Sequence, residues 1–188
     1  MSRSGKAGPA LPLREPHPAA GEKIAELGAK QVNLYRALAN APDMLDAWLV
    51  FAWSLRDDCV TPRVLRELMI LRTASVMRAV YEWHQHDLMA RRAGASTEQI
   101  DAVPAWQTSD CYSDRERAAL MLTDAMLTGH VNDDVHEELA RHFSDQERVE
   151  LVVTAGFYAM VPRVLDALRV PIEEETPPAT GQRWSGDA

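Results

Sequence analysis

The feature that most limits the fold is a set of helix starts, each marked by a serine followed three residues later by an acid or an amide. These capping boxes pair Ser96 with Gln99, Ser113 with Glu116, and Ser144 with Glu147. In such a box the hydroxyl accepts a hydrogen bond from the first turn, and the acid or amide accepts one from the serine N–H. Sustained period-2 patterns and Asn-Gly or Asp-Gly hairpin signals are missing from the sequence. The pattern predicts an all-α protein.

The helical segments are expected to form one domain over residues 20–170, a bundle of about six to eight helices. Both ends are rich in proline, which removes a backbone donor and fixes φ. Residues 1–19 and 171–188 are therefore predicted to be flexible tails, the second of them acidic. The predicted helices lie at about 21–40, 43–57, 62–77, 79–93, 97–103, 114–128, 133–142 and 145–168.

Composition excludes several classes of protein. The 28 acidic residues outnumber the 20 basic ones and give a net charge of −8, which disfavours nucleic-acid binding. Cys59 and Cys111 are too few for a disulfide scaffold and form no CxxC motif. No apolar run approaches the ~18 residues of a membrane span, and the N-terminus lacks the apolar core of a secretory signal. We therefore expect a cytoplasmic protein with no membrane partner.

Glu67 is the first residue that could carry chemistry. At 100° per residue it shares a helix face with Val64, Leu71 and Ala74, which are apolar or small. A carboxylate in an apolar stripe is costly unless it is paired. One interpretation is a structural Glu bonded to a backbone group or an arginine, such as Arg78 on the same stripe. The other is a general acid or base whose pKa is raised by burial.

His86 is the second such residue, and Glu82 lies one helical turn before it. The i, i+4 spacing permits a Glu–His hydrogen bond that would orient the ring. The helices predicted at 62–77 and 79–93 should pack antiparallel, because their connection is short. At 1.5 Å per residue, Glu67 then lies roughly 15 Å and His86 roughly 10 Å from the turn. We therefore predict that the two side chains meet directly or through one water, in a pocket with apolar walls.

A metal site is not predicted. His84 and His86 point about 200° apart on a helix, so they cannot share one ion. Glu82 and His86 supply two ligands, and Glu67 is a conceivable third, but no HExxH or Cys/His array supports such a site. Nucleophile-elbow, P-loop and dinucleotide-binding motifs are also missing from the sequence.

Several stretches, in this order along the chain, resemble the carboxymuconolactone decarboxylase and alkylhydroperoxidase D-like superfamily. Together they cover about residues 30–173. They are NLYRALANAPDMLDAW, RELMILRTA, YEWHQHDLMARRAGAS and SDQERVELVVTAGFYAMVPRVLDALRVPIE. The resemblance implies an all-helical fold, a helix break around Met77 to Val80, and assembly into homotrimers or homohexamers with the site near subunit contacts.

The peroxidase branch of this superfamily carries the pattern Glu…Cys-x-His-Cys-x-x-x-His. Its Glu matches Glu67 and its last His matches His86, whereas its two cysteines fall on Ala79 and Glu82 and its first His on Tyr81. The outer members of a proton relay are thus present without the dithiol. The resemblance therefore disfavours peroxidase activity, because the thiolate is the nucleophile.

Our leading hypothesis is a cofactor-free lyase or isomerase that acts on a small carboxylated lactone or carbonyl compound. Glu67 and His86 would exchange protons with the substrate, and Glu82 would orient His86 or act as a second carboxylate. Tyr81 and Trp83 would bind the substrate by shaping the pocket. A charged His86, or Tyr81, would protonate the developing enolate.

Two other hypotheses stay open at this point. One is a protein without catalytic activity that binds a small ligand or serves as an assembly module. The other is peroxide chemistry on Cys59 or Cys111, which requires one of these thiols beside His86.

Overall fold

The computed structural model describes residues 8–28 and 32–173, and within them the protein is helical with no strand. This confirms the all-α prediction. The bounds of the nine α-helices of this part of the chain are α1 Pro18–Glu26, α2 Asn33–Leu38, α3 Pro42–Asp57, α4 Arg63–Met77, α5 Val80–Ala93, α6 Thr97–Ala102, α7 Asp114–Thr128, α8 Asp133–His142 and α9 Asp145–Ala167. A 3-10 helix, Val103–Thr108, follows α6 directly.

The three predicted capping boxes are present. Ser96 and Ser113 each accept from the N–H three residues on, and their acid or amide partners reach back. Ser144 does the same at the start of α9, where its Oγ lies 3.3 Å from Glu147 N and its own N–H donates to Glu147 at 2.9 Å. These bonds satisfy donors that a helix start otherwise leaves open.

The described residues group into two compact units. The first contains α1, α2 and α3 together with 163–173, and the second contains 58–162. No described helix is long and apolar enough to cross a membrane.

The predicted helix over 21–40 is wrong, because the structure places two helices there. α1 ends at Glu26, and Gly28 adopts a left-handed φ of 64°, a common helix stop. α2 then starts at Asn33. α1 also begins at Pro18, inside the stretch predicted as tail, since proline fits a first helical turn.

The described residues next to the two ends form hydrogen bonds within the first unit. Ala10 N donates to Leu168 O at 3.0 Å and Arg14 N to Arg36 O at 3.0 Å. Glu173 accepts from Asn33 N at 2.7 Å. Residues 1–7 and 174–188, which belong to the predicted tails, lie outside the described residues.

The second unit has two clusters of buried apolar residues that fix α4 in its centre. One side of α4 packs through Leu68 and Leu71 on residues of α5, α6 and α7, and another packs through Leu65 and Met69 on α7, α8 and α9. Eleven consecutive α4 residues, from Leu65 to Ser75, are buried. Any charged side chain among them must find a partner inside the protein.

Candidate functional site

A helical hairpin of α4 and α5 brings Glu67 and His86 together. α4 ends at Met77, Arg78 takes a left-handed φ of 54°, and α5 starts at Val80. This break confirms the one that the family resemblance implies. The Nδ1 atom of His86 lies 2.7 Å from Oε2 of Glu67, with Glu67 fully buried and His86 only 4% exposed. The predicted pairing of the two side chains is confirmed as a direct hydrogen bond.

Glu82 lies on the other side of the imidazole. Its Oε1 is 3.5 Å from Nε2 of His86, one helical turn along α5, and the residue is buried. The ring is thus placed between two buried carboxylates, with a short bond at Nδ1 and a longer contact at Nε2. A separation of 3.5 Å is beyond the usual length of a strong N–H···O bond.

Arg63 is the arginine that pairs with Glu67, where sequence interpretation suggests Arg78. Its Nε donates to Glu67 Oε1 at 2.7 Å, and its Nη2 contacts the same oxygen. The signal that could have found it is the i, i+4 spacing from residue 63 to residue 67. Val64, Leu71 and Ala74 mark an apolar stripe around Glu67. A charged residue one turn before Glu67 does not belong to that pattern, so the pattern does not report Arg63.

Of the two interpretations of Glu67, the one in which burial raises its pKa is wrong. Burial does raise the pKa, but the charge and hydrogen bond of His86, and then those of Arg63, outweigh it and hold the pKa below its ordinary value of 4.5. Glu67 is therefore an ionised carboxylate at neutral pH and can only accept hydrogen bonds. It follows that His86 Nδ1 carries the proton of their shared bond, and that Nε2 is the ring atom that can gain or lose one.

Tyr158 on α9 also contacts the imidazole ring of His86. It meets His86 edge-on, with ring centroids 5.1 Å apart and planes at 86°. Phe157 packs against Tyr158 in the same manner at 5.2 Å. Sequence reasoning missed Tyr158 because nothing local connects it with a histidine so far away in the chain.

The two predicted substrate-binding residues are both buried. Tyr81 lies in the first turn of α5 and is 9% exposed. Trp83 is completely buried in the apolar cluster that contains Leu68 and Ile100. Core packing accounts for the position of Trp83, and its role toward a substrate stays a prediction.

The two surface cavities described for the second unit are not lined by Glu67, Glu82 or His86. Their volumes are about 390 and 360 Å³. The predicted pocket around the pair is therefore neither of these two. The first is lined by Trp106, Arg117, Ala118, Met121, Asp134, Glu137, Glu138 and Arg141, and the second by His136, Leu139, Asp145, Arg148, Val149, Val152 and Val153.

The arrangement is suited to proton transfer and to holding charge. Among the described residues, no group of three or more His, Cys, Asp and Glu side chains is placed to hold a metal ion. If His86 is protonated and both carboxylates are ionised, the positive charges of Arg63 and His86 balance the negative charges of Glu67 and Glu82. With His86 neutral and both carboxylates ionised, one negative charge is left over in a buried place, which is unfavourable.

Cys59 lies near the cluster, since the charge of Arg63 acts on its thiol. Burial raises the pKa of the Cys59 thiol, partly offset by Arg66, so its reactive thiolate is disfavoured. The Sγ atom of Cys111 accepts from Ser109 Oγ at 3.1 Å. Both cysteines are free thiols.

Residues 42–125, which include Glu67, Glu82 and His86, match the carboxymuconolactone decarboxylase family. This match confirms the resemblance of the chain to the carboxymuconolactone decarboxylase and alkylhydroperoxidase D-like superfamily. Two curated relatives are similar in sequence to part of this chain. The uncharacterized protein YdfG of Bacillus subtilis is 28% identical over 94 residues, 48% of this chain and 64% of the relative. The uncharacterized protein YnjA of Escherichia coli is 32% identical over 87 residues, 45% of this chain and 47% of the relative. The match thus spans less than two thirds of either relative.

Solved structures show that a shared all-helical fold extends over nearly the whole chain. A peroxidase-related protein from a Silicibacter species has a TM-score of 0.77 at 20% identity and covers 94% of this chain and 97% of its own. A debrominase, Bmp8, solved as a cysteine-to-alanine variant with 2,3,4-tribromopyrrole, has a TM-score of 0.75 at 23% identity over 93% and 95% of the two chains. A protein of unknown function from Agrobacterium tumefaciens, named after the antioxidant defence protein AhpD, has a TM-score of 0.65 at 25% identity over 73% and 96%. These similarities show that the chain has the same fold as proteins that are described as a debrominase, a peroxidase-related protein and a protein of unknown function.

Proposed function

We propose that this protein is a cofactor-free enzyme of the lyase or isomerase type, which moves protons on a small carboxylated lactone or carbonyl compound. The observation that carries the proposal is the imidazole of His86, held between two buried carboxylates with Nδ1 bonded to Glu67 at 2.7 Å. Such a ring has a fixed orientation, and its other nitrogen, Nε2, 3.5 Å from Glu82, is the atom that we assign to proton transfer.

The roles of the three ionisable residues follow from their bonds. Glu67 orients the ring and stabilises its charged form, as the carboxylate does in a catalytic triad. His86 gives or takes the proton at Nε2. Glu82, 3.5 Å from that nitrogen, is the second carboxylate and stabilises the imidazolium. This division revises the initial hypothesis, in which Glu67 itself exchanged protons with the substrate.

For a decarboxylation, the bond between the substrate carbon and its carboxylate breaks and carbon dioxide leaves. The electron pair stays on the substrate as an enolate, because a neighbouring carbonyl accepts it. The imidazolium of His86 then delivers its Nε2 proton to the carbon and becomes neutral. In an isomerisation the same nitrogen first takes a proton beside the carbonyl and then returns one elsewhere, so no external oxidant or reductant is needed.

We also propose that the protein acts in the cytoplasm as a homotrimer or homohexamer, with the site near subunit contacts. The support for both is the superfamily resemblance. Light scattering after size-exclusion chromatography measures the subunit number directly.

The second candidate is a small-ligand-binding or assembly module without catalysis. It is supported by the mutual pairing of Glu67 and His86 and by the position of both described cavities elsewhere. A peroxidase is a weaker candidate, because Ala79 and Glu82 stand where the resemblance places the two cysteines.

The experiment is a screen for proton exchange in heavy water. Small keto acids and carboxylated lactones are incubated with the protein, and deuterium uptake beside the carbonyl and release of carbon dioxide are followed by NMR. We expect at least one compound to react, and His86→Gln to slow that reaction by about 10²-fold or more. The matched control is His84→Gln, two residues away on another face of α5. Equal rates for wild type and His86→Gln, or no reaction in the whole panel, would contradict the proposal.

A further inference from the structure

Arg63 differs from the other members of the Glu67 and His86 cluster in its exposure. Its side chain is 28% exposed, whereas that of Glu67 is 0% exposed and that of His86 is 6% exposed. The guanidinium therefore connects a buried set of charges with the protein surface. A molecule that approaches the cluster from this side meets a cation first.

The bond between Arg63 and Glu67 does not use the full geometry of either group. Nε and Nη2 of Arg63 both contact the single oxygen Oε1, because Oε2 is bonded to His86. Arg72 on the same helix shows the alternative, since its Nε and Nη2 bind the two separate oxygens of Asp124 at 2.6 and 3.0 Å. Two parallel N–H···O bonds are the stronger and more directional form.

The other two arginines in the middle of α4 are placed less favourably for a ligand. Arg66 is 3% exposed, and its Nε donates to the carbonyl of Thr61 at 3.3 Å. Arg72 is 5% exposed and is bound to Asp124 and to backbone carbonyls. Arg63 is thus the α4 arginine whose position combines solvent contact with a bond into the candidate site.

The geometry points to Arg63 as the residue that binds the carboxylate of the substrate, with the guanidinium leaving Glu67 oxygen Oε1 for a two-oxygen contact with the incoming anion. This inference rests on the proposed function, and it adds a specificity-determining residue that selects substrates with a carboxylate. The exchange replaces one carboxylate partner of Arg63 by another, while Glu67 keeps its bond to His86 through Oε2.

The exchange has a consequence for Glu67. Burial raises its pKa, and the bonds to His86 and Arg63 lower it. When Arg63 turns to the substrate, one of the two groups that lower the pKa is withdrawn, and Glu67 becomes a stronger base toward the Nδ1 proton of His86. Binding of an anion would thereby prepare the imidazole for proton transfer.

The test measures binding and needs no turnover. The probe is 4-oxopentanoate, with its methyl ester as the uncharged counterpart, and the dissociation constants are measured by NMR titration of the whole protein. We expect Arg63→Gln to weaken binding of the acid by about tenfold, because a charge-assisted contact is lost. We expect the ester to bind wild type weakly, and its dissociation constant should be the same for Arg63→Gln.

Two further variants keep the result interpretable. Arg91→Gln is the matched control, because Arg91 also forms an i, i+4 pair, with Asp87. Its side chain is 30% exposed, a fraction similar to the 28% of Arg63. It should change the binding of the acid by less than about twofold, since Arg91 is bonded to Asp87 and Thr97 and not to Glu67 or His86. Arg63→Lys retains the positive charge beside buried Glu67 if Arg63→Gln fails to fold, and it should bind the acid with intermediate affinity because an ammonium group lacks the fork.

The inference is overturned if the acid and the ester bind wild type equally, if the acid does not bind at all, or if folded Arg63→Gln or Arg63→Lys binds the acid as wild type does. The proposed function fails separately. In that case the acid binds through Arg63, but neither wild type nor His86→Gln promotes deuterium exchange in any compound.

Discussion

Helix α4 carries two arginine–carboxylate pairs that differ in the groups to which they are bonded. Arg63 and Arg72 are nine residues apart, which places them on opposite faces of the helix. Arg72 binds both oxygens of Asp124, which also accepts from Trp106 and Gln107 at 3.0 Å. Arg63 binds one oxygen of Glu67, and the other oxygen holds His86.

The difference lies in what each pair is connected to. Arg72 also donates to the backbone carbonyls of Val103 and Pro104, at 3.3 and 2.9 Å, so its pair fastens the 3-10 helix to α4 and α7. The bonds of Glu67 lead instead to an imidazole, the side chain best suited to exchange protons near neutral pH. The comparison teaches that buried charge alone does not indicate a reactive site. The partner of the charge decides whether the arrangement is structural or chemical.

The largest expected effect on stability is that of Asp124→Asn. The change leaves the guanidinium of Arg72, whose side chain is 6% exposed, without its counter-charge. Breaking a buried pair in this way costs about 3–5 kcal/mol of unfolding free energy, which lowers Tm by about 10 °C. Calorimetry measures the shift, and Asp87→Asn in the half-buried pair with Arg91 is the control. A shift as small as that of the control would contradict a structural role for the Arg72 pair.

Glu67→Gln should lower the rate of proton exchange more strongly than the stability of the protein. The amide keeps part of the hydrogen bonding, and Arg63 keeps contact with solvent because its side chain is 28% exposed, so the loss of stability is about 2 kcal/mol. Proton exchange by the folded variant should fall about 10²-fold or more, because His86 loses the carboxylate that fixes its tautomer. Rate and Tm are measured on the same preparation. A variant that melts early but retains the wild-type rate would make Glu67 a structural residue.

The pH dependence of stability sharpens the same comparison. A carboxyl group whose folded pKa lies below its unfolded value stabilises the protein above the unfolded value and loses this effect as pH falls through the folded one. For Glu67, whose ordinary pKa is 4.5, the stability difference between wild type and Glu67→Gln should be full at pH 7 and shrink below about pH 4.5. Urea unfolding at several pH values checks this. A difference that grows in acid would mean that the pKa is raised.

The smallest effect is expected from replacing Cys59 and Cys111 together by serine. Neither thiol belongs to a CxxC motif, and burial raises the pKa of Cys59. The proton-exchange rate of the double variant should stay within about twofold of wild type, because no thiolate takes part in the proposed chemistry. Loss of that rate in a folded double variant would restore a thiol mechanism.

The fold and the central pair could be predicted because their signals are local or depend on simple geometry. Capping boxes mark helix starts within four residues, and the short α4–α5 connection fixes the heights of Glu67 and His86 by helical rise alone. The split of the predicted 21–40 helix was missed. A glycine such as Gly28 inside a periodic segment is compatible with either a continuing helix or a stop.

The rest of the site depends on side-chain choices that periodicity does not contain. Whether Glu67 pairs with Arg63 or Arg78 is decided by the direction of each side chain, and the left-handed backbone at residue 78 changes that direction. The sign of the Glu67 pKa shift depends on the sum of two opposing contributions. Tyr158 reaches His86 only through the packing of α9, which no local pattern reports.

The central claim is that Glu67 holds His86 through Nδ1 and leaves Nε2 as the proton-transfer atom. Nitrogen-15 NMR of histidine-labelled protein tests it directly, with the His86 signals assigned by their loss in His86→Gln. The account predicts that Nδ1 keeps its proton throughout the titration while Nε2 gains and loses one, and that Glu67→Gln abolishes this preference. A neutral His86 ring with its proton on Nε2 and a bare Nδ1 would contradict the account.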